Sequence, residues 1–512
     1  MSALTLQLPS VLPSALPAEG IDTAIDNVFG PFASWLESIV FFSVPVAGTK
    51  VPLIVGWLVL CGLFFTIWLK FLNVRGLKHA IDLVRGKYTR ADAEGEVTHF
   101  QALATAVSGT VGLGNIAGVA VAMSLGGPGA AFWMTVCGFL GMSTKMAECM
   151  LAVKYRKIRS DGSVSGGPMY YLRDGLAEIG MPGLGKVLSY FWAVCILFGA
   201  LAGGNAFQSN QAAAQIINVT GGSESFFADK GWLIGVIFAV AAGAVIIGGI
   251  KSIARVTEKI VPIMAVIYVV SCLTVIVANI EMLPSAFGEI FTGAFAPEGI
   301  AGGVIGALIV GFQRAAFSNE AGLGSAAVAH SPVKTDRPAT EGYVASLEPF
   351  IDTIIVCNMT ALAIIITGTW NDQDAGDLGG VDLTSRAFAT VIPWFPIVLA
   401  FAVVLFAFST MISYSYYGMK GTGFLFGDSK VAENVFKVVF LVFTVIGAAS
   451  GLKAVITFSD SVIFLMSLGN ILGLYFLAKV IRREFDSYRA ELRDGRREVV
   501  PAEERIDGPL GS

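Results

Sequence analysis

The sequence predicts an all-α polytopic membrane protein of about eleven transmembrane helices, and three observations carry that prediction. Only 14% of the 512 residues are charged and 55% are hydrophobic, where a soluble domain carries about 25% charged residues; mean hydropathy is +0.72. Apolar runs of about 20 residues or more, the length that crosses a bilayer, recur along the chain. The loops between them alternate between basic and almost free of Lys and Arg, as expected of a chain that crosses a membrane repeatedly.

Residues 1–50 form an extracytoplasmic N-terminus. Met1 to Glu19 carries neither a basic residue nor the apolar core of a secretory signal, so the first span is expected to direct insertion. Between 21 and 42, Ile21, Ile25, Phe29, Phe32, Trp35 and Ile39 recur at helical spacing. That pattern reads as an amphipathic helix lying on the membrane surface. The spans follow at about 51–73, 98–124, 128–153, 187–217, 231–250, 256–279, 299–330, 341–369, 386–418, 431–450 and 455–481. Basic loops, among them Arg75 to Arg90, Lys154 to Arg159 and Lys251 to Lys259, share one side with the tail 482–512. The loops at 218–229, 280–298 and 370–385 lie opposite. This puts the N-terminus outside and the C-terminus in the cytoplasm of a cell (inner) membrane, with Lys453 as the exception.

The span from His99 to Leu125 is interrupted by Ser108-Gly109-Thr110-Val111-Gly112-Leu113-Gly114-Asn115. Each glycine weakens a helix by roughly 1 kcal/mol, and non-helical backbone at membrane depth survives only inside protein or beside a cavity. Broken helices of this kind are where secondary transporters bind an anionic substrate group and a cation. Gly112-Leu113-Gly114-Asn115-Ile116-Ala117 recurs as Gly322-Leu323-Gly324-Ser325-Ala326-Ala327. The spans divide into 98–279 and 299–481, two sets of five that each open on a glycine-interrupted span. Because five is odd, the halves have opposite topology, and 51–73 is an extra helix. The second break falls either at 309–313 or at the Gly322 motif; bilayer depth favours 309–313. Gly114–Gly118, Gly199–Gly203 and Gly302–Gly306 have the four-residue spacing that permits close helix packing.

Gly109-Thr110-Val111-Gly112-Leu113-Gly114-Asn115-Ile116-Ala117-Gly118-Val119-Ala120, Ser165-Gly166-Gly167-Pro168-Met169-Tyr170-Tyr171 and Phe317-Ser318-Asn319-Glu320-Ala321-Gly322-Leu323-Gly324-Ser325-Ala326 resemble the alanine-or-glycine:cation symporter family, whose members are similar to sodium:alanine symporters. The likeness spans roughly 25–480. It implies the leucine-transporter-type fold of two inverted five-helix repeats. Val111 to Asn115 also resembles the first core helix of the sodium-coupled neurotransmitter symporters, where a Gly-Leu-Gly backbone holds a substrate carboxylate.

An amino acid zwitterion needs donors for its carboxylate and acceptors for its ammonium. The N–H groups of Leu113 and Gly114, freed at the break, can supply donors, and Thr110 and Asn115 can add side-chain oxygens. The sodium-coupled resemblance points to carbonyls of Ser108 and Val111 with hydroxyls of Ser409 and Thr410 as sodium ligands; helix–helix hydrogen bonding is the plainer role for those hydroxyls. In 187–217, Gln208 is a candidate substrate contact with Asn205 one turn away, or both tie helices together. A break at 309–313 would bring Gly311 and Phe312 to the substrate, Phe312 capping the pocket or serving as a core aromatic.

Among the few ionisable residues well inside spans, Lys145, Glu148, Arg314, Glu320, Glu348 and Asp352 are the ones that bear on function. Lys145 and Glu148 are spaced to pair on one helix, and Glu348 with Asp352 to neutralise Arg314, as a structural or gating network. His99 and His330 lie at span ends and His79 in a loop, which argues against a histidine proton path. The six cysteines read as apolar packing residues. No zinc-helix motif exists, and Gly248-Gly249-Ile250-Lys251-Ser252 lacks the spacing of a phosphate loop, so neither an enzyme nor an ATP-driven pump is expected. The net charge of −4 does not point to nucleic acid. The expected function is secondary active symport of alanine or glycine with sodium and no cofactor. Proton coupling on the same fold is the alternative, and an ion channel, which would need a filter loop, is less favoured.

Overall fold

The chain is mostly helical in this computed structural model, which describes residues 21–46, 49–90, 92–160, 162–296, 303–371, 380–497, 499–501 and 505. In chain order the principal helices are α1 (Ile21–Val40), α2 (Leu53–Trp68), α3 (Leu77–Val84), α4 (His99–Thr110), α5 (Val119–Gly126), α6 (Gly129–Lys154), α7 (Pro182–Leu201), α8 (Phe207–Val219), α9 (Gly231–Ile246), α10 (Gly249–Ala278), α11 (Leu283–Phe295), α12 (Gly303–Asn319), α13 (Ala326–His330), α14 (Pro338–Ala345), α15 (Asn358–Ile366), α16 (Val381–Ala389), α17 (Phe395–Leu425), α18 (Lys430–Ala449), α19 (Leu452–Phe476) and α20 (Ala478–Arg493). π-helical turns sit at Gly114–Gly118, Tyr171–Gly175, Ala202–Ala206 and Phe350–Cys357. Such turns are rare and concentrate at functional sites.

Among the described residues, seven helices are long and apolar enough to cross a membrane, and α4 with the segment Gly114–Gly126, bent by 50°, makes an eighth. α2 and α9 are shorter apolar helices. Helix starts follow local chemistry. Thr98 and Gln101 form a reciprocal capping box at 3.1 Å in both directions before α4. Pro182, Pro338 and Pro396 stand in the first turns of α7, α14 and α17, where a missing N–H removes no helical bond. The stretch 386–418 is not one span. Its first residues belong to the separate helix α16, and α17 begins only at Phe395, beyond Pro393.

α1 is helical as its periodicity predicts. The side chains of Ile21, Ile25 and Phe29 lie outside the described set, as do residues 1–20, Gly302 and the last residues of the tail. Ala33 is buried with Phe458 and Val462 of α19, while Phe32, Trp35 and Ile39 are exposed. One face of α1 therefore packs on the bundle and the other presents apolar surface outward.

Close crossings are built on glycine. A Cβ on Gly204 would lie 2.0 Å from Tyr414 Cγ, so α17 packs directly on the backbone of the Ala202–Ala206 turn. Gly199 and Gly203 likewise face Met466 and Ile463 of α19, whereas a Cβ on Gly118 would meet nothing within 4 Å.

Candidate functional site

The first broken helix lies where its glycines predict. α4 ends at Thr110, Val111 leaves the helix at φ −77° and ψ 85°, and a π-turn resumes at Gly114. The second break is at Glu320–Ser325, not at 309–313. Glu320, Gly322 and Gly324 adopt φ of 58°, 95° and 84°, left-handed values that glycine tolerates and glutamate rarely takes. Gly311 sits inside continuous α12. Its Cβ would fall 2.6 Å from the Ala130 carbonyl oxygen and 2.7 Å from Trp133 Cβ, so this glycine serves close packing on α6. Phe312 packs on Trp133 of the same helix, with ring centroids 6.5 Å apart.

A cavity of ≈ 10 Å³, about the room one water needs, lies between the two breaks. It is lined by Gly109, Thr110 and Gly114 from the first broken helix, Gly203 and Gln208, Phe317 and Glu320 at the second break, Tyr414 and Ile463. Thr110, Gly114 and Gln208 thus line one cavity. Gln208 Oε1 accepts the Leu113 N–H at 3.0 Å, and Gln208 Nε2 donates to the Gly203 carbonyl at 2.9 Å. The Leu113 donor is therefore already engaged rather than free. Asn205 turns away: it donates to the Phe440 carbonyl at 2.6 Å and accepts from Thr444 at 2.9 Å, tying its helix to α18.

Asn115 points to the far side of the break. Its Oδ1 accepts the Gly112 N–H at 2.9 Å, and its Nδ2 donates to Asp352 Oδ1 at 2.6 Å. Ser318 and Thr353 also donate to the Asp352 carboxylate, at 3.0 and 2.7 Å. Asp352 belongs to the π-helical turn Phe350–Cys357, so two π-helical turns and the last turn of α12 meet at one buried carboxylate.

Of the four sequence-predicted ion ligands, Ser108, Ser409 and Thr410 meet where α4 crosses α17, and Val111 is the residue at which α4 ends. Thr410 Oγ1 donates to the Ser108 carbonyl at 2.9 Å, Ser108 Oγ to the Ser409 carbonyl at 2.8 Å, and Ser413 Oγ to Ser108 Oγ at 3.0 Å. Ser409 Oγ donates to the Phe406 carbonyl at 3.0 Å. A Cβ on Gly112 would stand 2.5 Å from Thr410 Oγ1, so the close approach requires glycine. Every donor atom here is a neutral oxygen, the set a hard monovalent cation takes.

The buried charges pair differently from their sequence spacing. Lys145 reaches Glu348 at 3.2 Å rather than Glu148; Glu148 accepts from Asn470 at 2.6 Å. Arg314 pairs with Asp460 of α19, not with Glu348 or Asp352, and lies 5.5 Å from the centroid of the cavity-lining Phe317. Glu320 accepts from Tyr414 and Ser325. Sequence reasoning missed Asp460, Tyr414, Phe317 and Ile463. Asp460 was detectable as a further charge inside an apolar run, Tyr414 lies one turn beyond Thr410, and Phe317 opens the Phe317–Ala326 motif; nothing in the sequence marks Ile463 among so many apolar residues.

Comparison with known proteins was informative at three levels. The family model described as "Sodium:alanine symporter family" matches residues 35–502. The chain is 39% identical over 428 residues, 83% of its own length and 92% of the relative's, to the sodium/alanine symporter AgcS of Methanococcus maripaludis. It is 33% identical to the probable sodium/glutamine symporter GlnT of Bacillus subtilis over 85% of this chain and 87% of that one. The crystal structure of MhsT in complex with L-phenylalanine matches at a TM-score of 0.53 and 15% identity, covering 77% of this chain and 98% of that chain, a likeness of fold.

The Arg314–Asp460 pair is buried on both sides. Removing one partner strands the other charge, which costs about 3–5 kcal/mol, while replacing both with apolar residues is near neutral. Asp460→Ala should therefore sharply lower thermal stability in detergent, and Arg314→Met with Asp460→Leu should recover most of the loss. Equal instability of the single and double variants would show that packing, not charge pairing, matters there.

Proposed function

Because the chain belongs to the sodium:alanine symporter family, we propose that it carries a small neutral amino acid, alanine or glycine, across the membrane together with sodium, by alternating access. The observation that carries this reading is the narrow cavity between two broken helices, bounded by backbone at Gly109, Gly114 and Gly203 and by one carboxylate, Glu320. The substrate carboxylate takes the Leu113 and Gly114 N–H groups, displacing Gln208 Oε1, and its ammonium faces Glu320. Ser108 and Val111 carbonyls with Ser409 and Thr410 hydroxyls hold sodium at the α4–α17 crossing. The chain crosses the membrane about eleven times, as two inverted five-helix repeats after α2, with the N-terminus outside and the C-terminus in the cytoplasm. Units 98–279 and 299–481 are the repeats. Proton coupling is the second reading. Asp352, a buried carboxylate held by Asn115, Ser318 and Thr353, is the group that would carry it.

The ion and substrate ligands separate experimentally. Thr410→Ala should raise the sodium concentration for half-maximal alanine binding by about tenfold, the loss of one ~1.4 kcal/mol contact, and saturating sodium should restore binding because linkage is reciprocal. Gly114→Val should abolish alanine binding at any sodium concentration, since its side chain meets Ser318 and fills the approach to the backbone. A shared, sodium-independent defect in both variants would refute the division of roles.

The walls also set substrate size. Phe317 and Ile463, rather than Phe312, bound the cavity. Glycine should compete with labelled alanine, and leucine at least ~10-fold more weakly, because extra methylenes meet packed side chains. Ile463→Ala should narrow that difference. Equal competition by leucine in the unaltered protein would reject the small pocket.

A further inference from the structure

On the side of the bundle that carries the basic loops, five ionisable side chains from separate segments form one buried chain. His99 Nδ1 of α4 meets one oxygen of Glu341 of α14, and His330 Nδ1 of α13 meets the other. His330 Nε2 lies 2.7 Å from Glu348 Oε1, and Lys145 Nζ of α6 lies 3.2 Å from Glu348 Oε2. The second nitrogen of His99 is 2.8 Å from the Thr89 hydroxyl. All five side chains are at most 1% exposed.

The two histidines differ in what surrounds them. His99 meets a carboxylate and a hydroxyl, and a hydroxyl can donate or accept, so a neutral ring satisfies both contacts. His330 meets a carboxylate at each nitrogen. A neutral imidazole has one N–H and one lone pair, and a lone pair facing a carboxylate oxygen is repelled rather than bonded. We propose that His330 is a proton-binding site: the ring is held as an imidazolium between Glu341 and Glu348, and its bound proton fastens α13, at the foot of the second broken helix, to α14 and to the turn after it, which Lys145 ties to α6.

Charge balance supports the assignment. With the proton bound, Lys145 and His330 offset Glu341 and Glu348. Without it, a net negative charge is left in a water-poor interior. The other titratable groups around the cluster include Glu148 and Cys149 on α6, Glu320 at the second break, Asp352, Tyr417 on α17 and Arg156 beyond α6. Arg156 holds the chain that follows His330 through the carbonyls of Ser331 and Thr335, at 3.1 and 3.0 Å. The site is separate from the cavity and from the Ser108–Thr410 crossing, and it does not depend on which ion drives transport.

The chain has three histidines in all, which makes the ring directly observable. Protein labelled with ¹⁵N-histidine and reconstituted in lipid should show, at pH 7.5, one ring with both nitrogens protonated. It should persist in His79→Gln protein and so belong to His99 or His330, and its persistence in His99→Gln protein assigns it to His330. His79, in α3 outside the spans and pushed by burial down to about 4, serves as the neutral reference. A deprotonated, pyridine-type nitrogen at His330 under these conditions overturns the proposal. The variants supply an independent check. His330→Gln should lower the melting temperature in detergent by at least ~5 °C, and adding Glu341→Gln, which restores neutrality, should return most of that shift. A double variant no more stable than His330→Gln alone contradicts the charge-balance argument.

Discussion

Backbone polar groups inside a bilayer must be satisfied within the protein, and two interrupted helices leave this chain with many to satisfy. The rest of the bundle is arranged around that need. Gln208 accepts the Leu113 N–H, Asn115 folds back onto the Gly112 N–H, Trp192 donates to the Leu323 carbonyl at 2.8 Å and Asn470 to the Gly322 carbonyl at 2.9 Å. Gln208, Trp192 and Asn470 reach the breaks from other helices. Amides and an indole in an apolar span are expensive in isolation; here each is matched to a carbonyl or N–H that helix geometry has released.

The same constraint explains how the site can be both polar and small. Glycines let helices approach until one backbone meets another's side chain, as at Gly112 against Thr410 and Gly204 against Tyr414. The space left between the breaks is therefore a narrow cavity walled by backbone, with Phe317 and Ile463 as its bulky sides. Behind those walls Arg314 and Asp460 pair across α12 and α19, so the groups that shape the cavity are braced by a charge pair they do not expose to it.

Much of this was legible in the sequence. Hydropathy located the helices because lipid demands an apolar exterior along each one, and the first break was legible because three glycines and small polar residues interrupt a single apolar run. The second break is less legible because it lies off the middle of its apolar run. α12 instead stays helical past Gly311, and the chain turns only at Glu320. Charge pairing was illegible. Local spacing suggested Lys145 with Glu148, but the observed partner, Glu348, is 203 residues away, and Asp460 is 146 residues from Arg314. Such pairs follow from tertiary packing, which hydropathy does not encode. Asn205 shares a predicted helix face with Gln208, the favoured substrate contact, and only the crossing of α18 separates a helix tie from a cavity residue.

The proposal is that sodium, bound at the α4–α17 crossing and moving down its gradient, carries a small amino acid through the cavity between the breaks. The most direct measurement is accumulation of labelled alanine in proteoliposomes under an inward sodium gradient, with sodium replaced by choline as the comparison and pH equal on both sides. The account predicts accumulation with sodium that increases when the interior is made electrically negative, and little uptake in choline. Undiminished accumulation in choline would contradict it and shift the coupling role to protons at Asp352.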